Sequence, residues 1–199
     1  MELAVLLALV AVLVFGAVAY LVVKPRVEED EIKQSAWALY EQVAAEVGGL
    51  VVAQTDEGWP RLEGLVDGLT IEIDHTNLVA PGLEGLLGMR CQLPEAEKAP
   101  NGAVWVGHVD GLHTQFGRPR PLGDGAGLFE VYTRVEPGAS DWWQEAELRE
   151  VLEGLPGAGV ALYEGQLTVV FTDLDAESVR TAMRVPGLIR RGVRRVTLH

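Results

Sequence analysis

The chain is 199 residues long and carries 16 Lys and Arg against 29 Asp and Glu, a formal charge of −13. That balance argues against a general nucleic-acid binder, because phosphate contacts need concentrated basic side chains. A single cysteine, Cys91, excludes an intramolecular disulfide framework and fits a reducing compartment.

Leu3 to Val23 form an uncharged run without proline, made almost wholly of Leu, Val and Ala. As a helix this run would be about 31 Å long, close to the roughly 30 Å hydrocarbon thickness of a bilayer. It predicts a single N-terminal transmembrane anchor, with the lipid bilayer as its partner. The alternative is a secretory signal cleaved after Ala17-Val18-Ala19, leaving a secreted soluble domain. Met1-Glu2 offers no basic n-region and the apolar stretch runs on through Val23, which favours the uncleaved anchor. Lys24 and Arg26 follow the run, so the positive-inside rule places the C-terminal domain on the cytoplasmic side of the inner membrane. The expected organisation is an anchor over 1–24, an acidic juxtamembrane linker over 25–31 and one domain over 32–199, with a candidate subdivision near 137. The part after the anchor is long enough to bury a real core.

A helix is predicted from Glu29 to Val47. Ile32, Ala36, Leu39, Val43 and Val47 recur at helical spacing, Trp37 and Tyr40 widen the apolar face, and Gly48-Gly49 stops it. Strands follow at Leu50–Ala53, Leu62–Val66 and Leu69–Asp74. In the last of these Leu69, Ile71 and Ile73 alternate with Thr70, Glu72 and Asp74, and Asp67-Gly68 before it is a hairpin signal. Further strands are expected at Met89–Leu93, Ala103–His108 and Leu128–Val135, with Pro94–Gly102 and Gly117–Gly127 as surface loops.

After Pro137-Gly138, Asp141 with Gln144 three residues on starts a helix carrying Leu148, Val151, Leu152 and Leu155. A hairpin of Val160–Tyr163 and Gln166–Phe171 turns at Glu164-Gly165. Asp175 caps a helix with Val179, Ala182 and Met183. Pro186 and Gly187 interrupt that helix before a short basic strand, Val193–Leu198. The fold class is α+β: one mainly antiparallel sheet with about three packing helices behind the transmembrane helix.

Several short segments occur in a familiar order: the apolar N-terminal helix, a helix ending Gly48-Gly49, Arg61-Leu-Glu-Gly64 with Asp67-Gly68, Leu122-Gly-Asp124, Phe129-Glu-Val131 and the Leu148–Leu155 helix. In this the chain resembles a loose class of bacterial membrane-tethered proteins of unknown function. The resemblance spans most of the chain and implies an anchored α+β domain. It brings no catalytic residues with it.

The constellation nearest to a metal site is His108, Asp110 and His113, with Asp74-His75 elsewhere. Imidazole plus carboxylate suits a divalent metal and would support a metal-dependent hydrolase. If the strand runs on, His108 and Asp110 share a side with Val104 and Val106. The spacing matches no closed ligand pattern, and an Asp-Gly turn accounts for Asp110 unaided, so no metal and no catalytic residue is assigned. Cys91 sits in a short apolar strand and reads as a small buried hydrophobe. The glycines of 123–127 lack the Lys-Ser/Thr of a phosphate loop, no motif requires a cofactor, and the chain has no Gly-x-Ser-x-Gly elbow.

The interaction candidates are Trp142 and Trp143, neighbours that cannot face one core equally from a regular helix, and the basic residues Arg190, Arg191, Arg194 and Arg195; for the tryptophans a structural place between the sheet and a neighbouring loop is the preferred reading. Trp59 and Trp105 read as core. The 178–199 segment contains six arginines and no acid, and it can meet anionic lipid or pair with its own domain. The leading functional expectation is a non-enzymatic interaction or assembly subunit, held at the membrane and docking on another membrane protein.

Overall fold

A computed structural model describes residues 31–75, 86–94, 100–107, 109, 112–121, 129–134, 142–144, 146–155 and 157–197. The expected anchor, residues 25–30 of the juxtamembrane linker, the Gly123–Gly127 loop, His108 and Asp110 lie outside these residues. Among the described residues no helix is long and apolar enough to cross a membrane.

The protein is α+β, built on one nine-stranded sheet whose pairs are all antiparallel. Helix α1 (31–47) ends at Gly48 and Gly49, both with φ of 74°, a conformation that favours glycine. Strands β1 (Leu50–Gln54), β2 (Pro60–Val66), β3 (Leu69–His75) and β4 (Leu87–Gln92) form a meander. Asp67 and Gly68 both have positive φ, as the tight β2–β3 turn requires. Next come β5 (Gly102–Val106), the short helix α2 (Leu112–Phe116), β6 (Pro119–Pro121), β7 (Phe129–Thr133), a 3-10 turn (Trp142–Gln144) and helix α3 (Ala146–Glu153). Strands β8 (Gly159–Tyr163) and β9 (Gln166–Phe171) turn at Glu164-Gly165, again both at positive φ. Helices α4 (Ala176–Ala182) and α5 (Val185–Thr197) close the chain, and the side chain of Asp175 caps α4 by accepting from the amides of Glu177 and Ser178.

The strand order is β1-β2-β3-β4-β9-β8-β5-β7-β6, so the β8–β9 hairpin, which follows residue 137, inserts in the middle of the sheet. One sheet face is the main core. Leu62, Ile71, Ile73, Met89, Cys91, Val169 and Val104 meet Tyr40 and Val43 of α1, both tryptophans of the 3-10 turn, Leu148 and Leu152 of α3, Val179 of α4 and Ile189 of α5. A second cluster lies on the other face, where Leu112 and Phe116 of α2 cover Ala103, Trp105, Tyr132, Ala161 and Val170. Gly159 makes this possible, because a Cβ there would fall 2.0 Å from the Trp105 ring.

Four sequence expectations are corrected. Residues 193–197 are helical rather than a strand: Pro186 sits in the first turn of α5, where its missing N–H breaks no bond, and Val185, Leu188 and Ile189 keep helical spacing into the core. The 117–127 loop contains the edge strand β6, which pairs with β7. Strand β5 starts at Gly102 and ends at Val106, and Gly107 after it turns to φ 79°. On α1, burial falls on Tyr40, Val43 and Ala44, while Ile32 and Leu39 are exposed, since only the C-terminal half of the helix rests on the core.

Candidate functional site

Helix α2 covers the β5–β9 side of the outer sheet face, and the β2–β4 side carries charge. Strand alternation that buries Leu62, Ile71 and Ile73 sends Arg61, Glu63, Glu72, Asp74 and Arg90 to the opposite face. Register places Glu63 across from Glu72, a like-charge pair, and Glu72 across from Arg90. Arg61 resolves the repulsion by pairing closely with Glu63 and reaching Glu72 at 3.8 Å. Arg90 reaches Glu72 at 3.7 Å and Asp74 at 2.5 Å.

The inner end of this lattice is the drier one: the side chains of Arg90 and Asp74 are 16% and 14% exposed. Burial pushes the Asp74 carboxyl above its ordinary range even though Arg90 pulls it down, and Oδ1 is buried without a hydrogen-bond partner among the described residues. The Tyr40 hydroxyl is pushed up to about 12, by burial first and the Asp74 charge second.

Beside Asp74 a cleft of about 280 Å³ opens between the β1–β2 turn and the end of β3, lined in part by Asp56, Trp59, Arg61, Asp74 and His75. The turn is closed by the Trp59 amide donating to Thr55 Oγ1 at 3.0 Å and the Thr55 amide donating to the Trp59 carbonyl at 2.8 Å. The Trp59 ring meets His75 edge-on at 6.5 Å, and Lys33 of α1 sits 5.4 Å from its centroid. Two apolar side chains flank the lattice in the open: Val51, 61% exposed and paired in register with Glu63, and Leu65, 69% exposed.

The residues singled out from sequence fall elsewhere. His113 is exposed on α2, and among the described residues no three His, Cys, Asp or Glu side chains gather to hold a metal ion. Trp142 and Trp143 are each 1% exposed, so both indoles lie in the core. Their rings meet edge to face at 5.3 Å, and the Trp142 indole donates to the Pro100 carbonyl at 3.0 Å. Cys91 is buried and its thiol is pushed up to about 12 by desolvation. Arg190 donates to the Asp67 carbonyl at 3.0 Å, tying α5 to the β2–β3 turn. Arg191 pairs with Glu147 at 2.8 Å, while Arg194 and Arg195 lie on α5, their side chains outside the described part.

Comparisons with protein-family models, with curated proteins and with solved structures find no match. The charged lattice was missed from sequence because it joins residues of three strands. Its signal, the alternation Arg61-x-Glu63 and Glu72-x-Asp74, is present, but only the register adds Arg90.

Proposed function

We propose that this chain is a membrane-anchored, non-enzymatic docking module, a member of the tethered class it resembles. Leu3 to Val23 form the transmembrane helix, Lys24 and Arg26 keep the domain on the cytoplasmic side, and another membrane protein docks on the β2–β4 sheet face. Tethering raises the effective concentration of the domain toward other membrane components, which is its mechanism.

The observation that carries this reading is the outer face of β2–β4. There two arginines, Arg61 and Arg90, pair with three carboxylates in a part-buried lattice that keeps one net negative charge, and Leu65 stands beside them 69% exposed. Ion pairs flanked by exposed apolar side chains suit a protein interface.

The test is extraction of the tagged full-length protein from its membrane in mild detergent, with mass spectrometry of what accompanies it, for the unmodified chain and for Leu65→Asp. A membrane protein recovered in stoichiometric amount and lost with Leu65→Asp supports the proposal. A chain that extracts alone, or one that alkaline carbonate strips from the membrane, contradicts it.

A further inference from the structure

The wall of the cleft at the β1–β2 turn is held by the backbone. Gly58, at φ 84°, reverses the chain and its amide donates to the Thr55 carbonyl at 2.9 Å, while Thr55 and Trp59 exchange the two further bonds that close the turn. A wall fixed in this way costs an incoming group little ordering. The charge around the cleft is mainly of one sign. Asp56, Glu57 and Asp74 line it, and the one guanidinium among its described lining residues, Arg61, is already drawn to Glu63 and Glu72. Asp56 and Glu57 are exposed, and among the described residues no cation pairs with either. An anion entering here meets three carboxylates, whereas a cation meets two that still need a counter-charge. The aromatic wall favours the same sign. Trp59 has the Lys33 ammonium 5.4 Å from its ring centroid, and an indole is the best aromatic partner for a positive charge. Lys33 reaches the ring from α1 and does not itself line the cleft.

We infer that this cleft receives a Lys or Arg side chain of the membrane protein that docks on the β2–β4 face. The inference rests on the docking reading and deepens it by naming what the partner presents. Arg61 and Asp74 belong both to the charged lattice on that face and to the lining of the cleft, so the two are continuous. Arg61 lies four residues from the exposed Leu65 on β2, about 13 Å along the strand, and one interface of ordinary size covers both. The partner's chemistry follows from the side of the membrane on which docking takes place. Loops on the cytoplasmic side of a membrane protein carry an excess of Lys and Arg close to the bilayer, and a cation is what the cleft calls for. At about 280 Å³ the space suits one such head group better than a large ligand.

The full chain, labelled with fluorotryptophan and purified in detergent, is titrated with butylammonium chloride as a mimic of the lysine head and followed by fluorine NMR. Trp59→Phe identifies the Trp59 resonance among those of the five tryptophans. A saturable shift of that resonance is expected, with none from butanol or from sodium chloride at equal ionic strength. Asp56→Asn with Glu57→Gln is expected to weaken the response several-fold while leaving the circular dichroism spectrum unchanged, since both side chains are exposed on a turn. In mild-detergent extraction the same double variant is expected to recover less of the membrane partner than the unmodified chain does. No shift at Trp59, or a shift that the double variant keeps in full, overturns the inference. Undiminished partner recovery by the double variant overturns it as well, and leaves docking on the β2–β4 face standing. Failure of the docking reading has a different mark: the unmodified chain extracts alone although butylammonium still shifts Trp59, and the occupant named here falls with that reading.

Discussion

Trp105 and Gly159 face each other across the β5–β8 pair, and the indole occupies the space that any larger residue at 159 would need. Gly159→Ala is therefore expected to destabilise the protein by about 3 kcal/mol, because the added Cβ must displace a buried ring held under α2. Denaturant unfolding of the variant beside the unmodified chain measures this. A loss below about 1 kcal/mol would mean that the ring yields easily and that the second core is looser than described.

Trp143 is a core residue here, so its truncation should act on folding rather than on docking. Trp143→Ala is expected to cost about 3–5 kcal/mol, the range for deleting a buried large aromatic side chain. Thermal unfolding followed by near-UV circular dichroism reads it. A variant with an unchanged melting temperature would place the indole at the surface after all.

Asp74 gives a pH prediction with a definite sign. Its carboxyl is raised in the folded protein by burial, so the folded state holds this proton more tightly than the unfolded chain does. Its contribution to stability is then fully present below the ordinary aspartate range and is lost as pH rises through the raised value. At pH 7 Asp74→Asn should therefore leave stability unchanged or raise it, and should flatten the pH dependence just above the ordinary aspartate range. A clear loss at pH 7 would show instead that the ion pair with Arg90 outweighs the desolvation of the carboxylate.

Cys91 should be inert in the native state. With its thiol buried in β4 and pushed up to about 12, almost none is thiolate at pH 8, and a thiol reagent should label it only after unfolding. Labelling of the folded protein at the rate of a free thiol contradicts this placement.

How much of this was legible in the sequence depends on how local each signal is. Asp67-Gly68 and Glu164-Gly165 marked both tight hairpins, Gly48-Gly49 marked the end of α1, and Asp175 marked the start of α4, since each is a short-range conformational demand. The insertion of β8–β9 between β4 and β5 has no local mark, and neither does the lattice of Arg61, Glu72 and Arg90 that pairing assembles. Two misreadings share one cause, a local rule overridden by context. Pro186 starts α5 instead of ending a helix, and Pro119 and Pro121 sit in an edge strand where their missing N–H groups do no harm.

The most direct test of the docking account is photo-crosslinking in the native membrane from two exposed positions. One photo-reactive residue replaces Thr70, on the outer face of β3, and the other replaces Glu153, at the end of α3 on the helical side. The account predicts a discrete adduct with another membrane protein from position 70 and none from position 153. No adduct from position 70, or equal adducts from both, would contradict docking through the β2–β4 face.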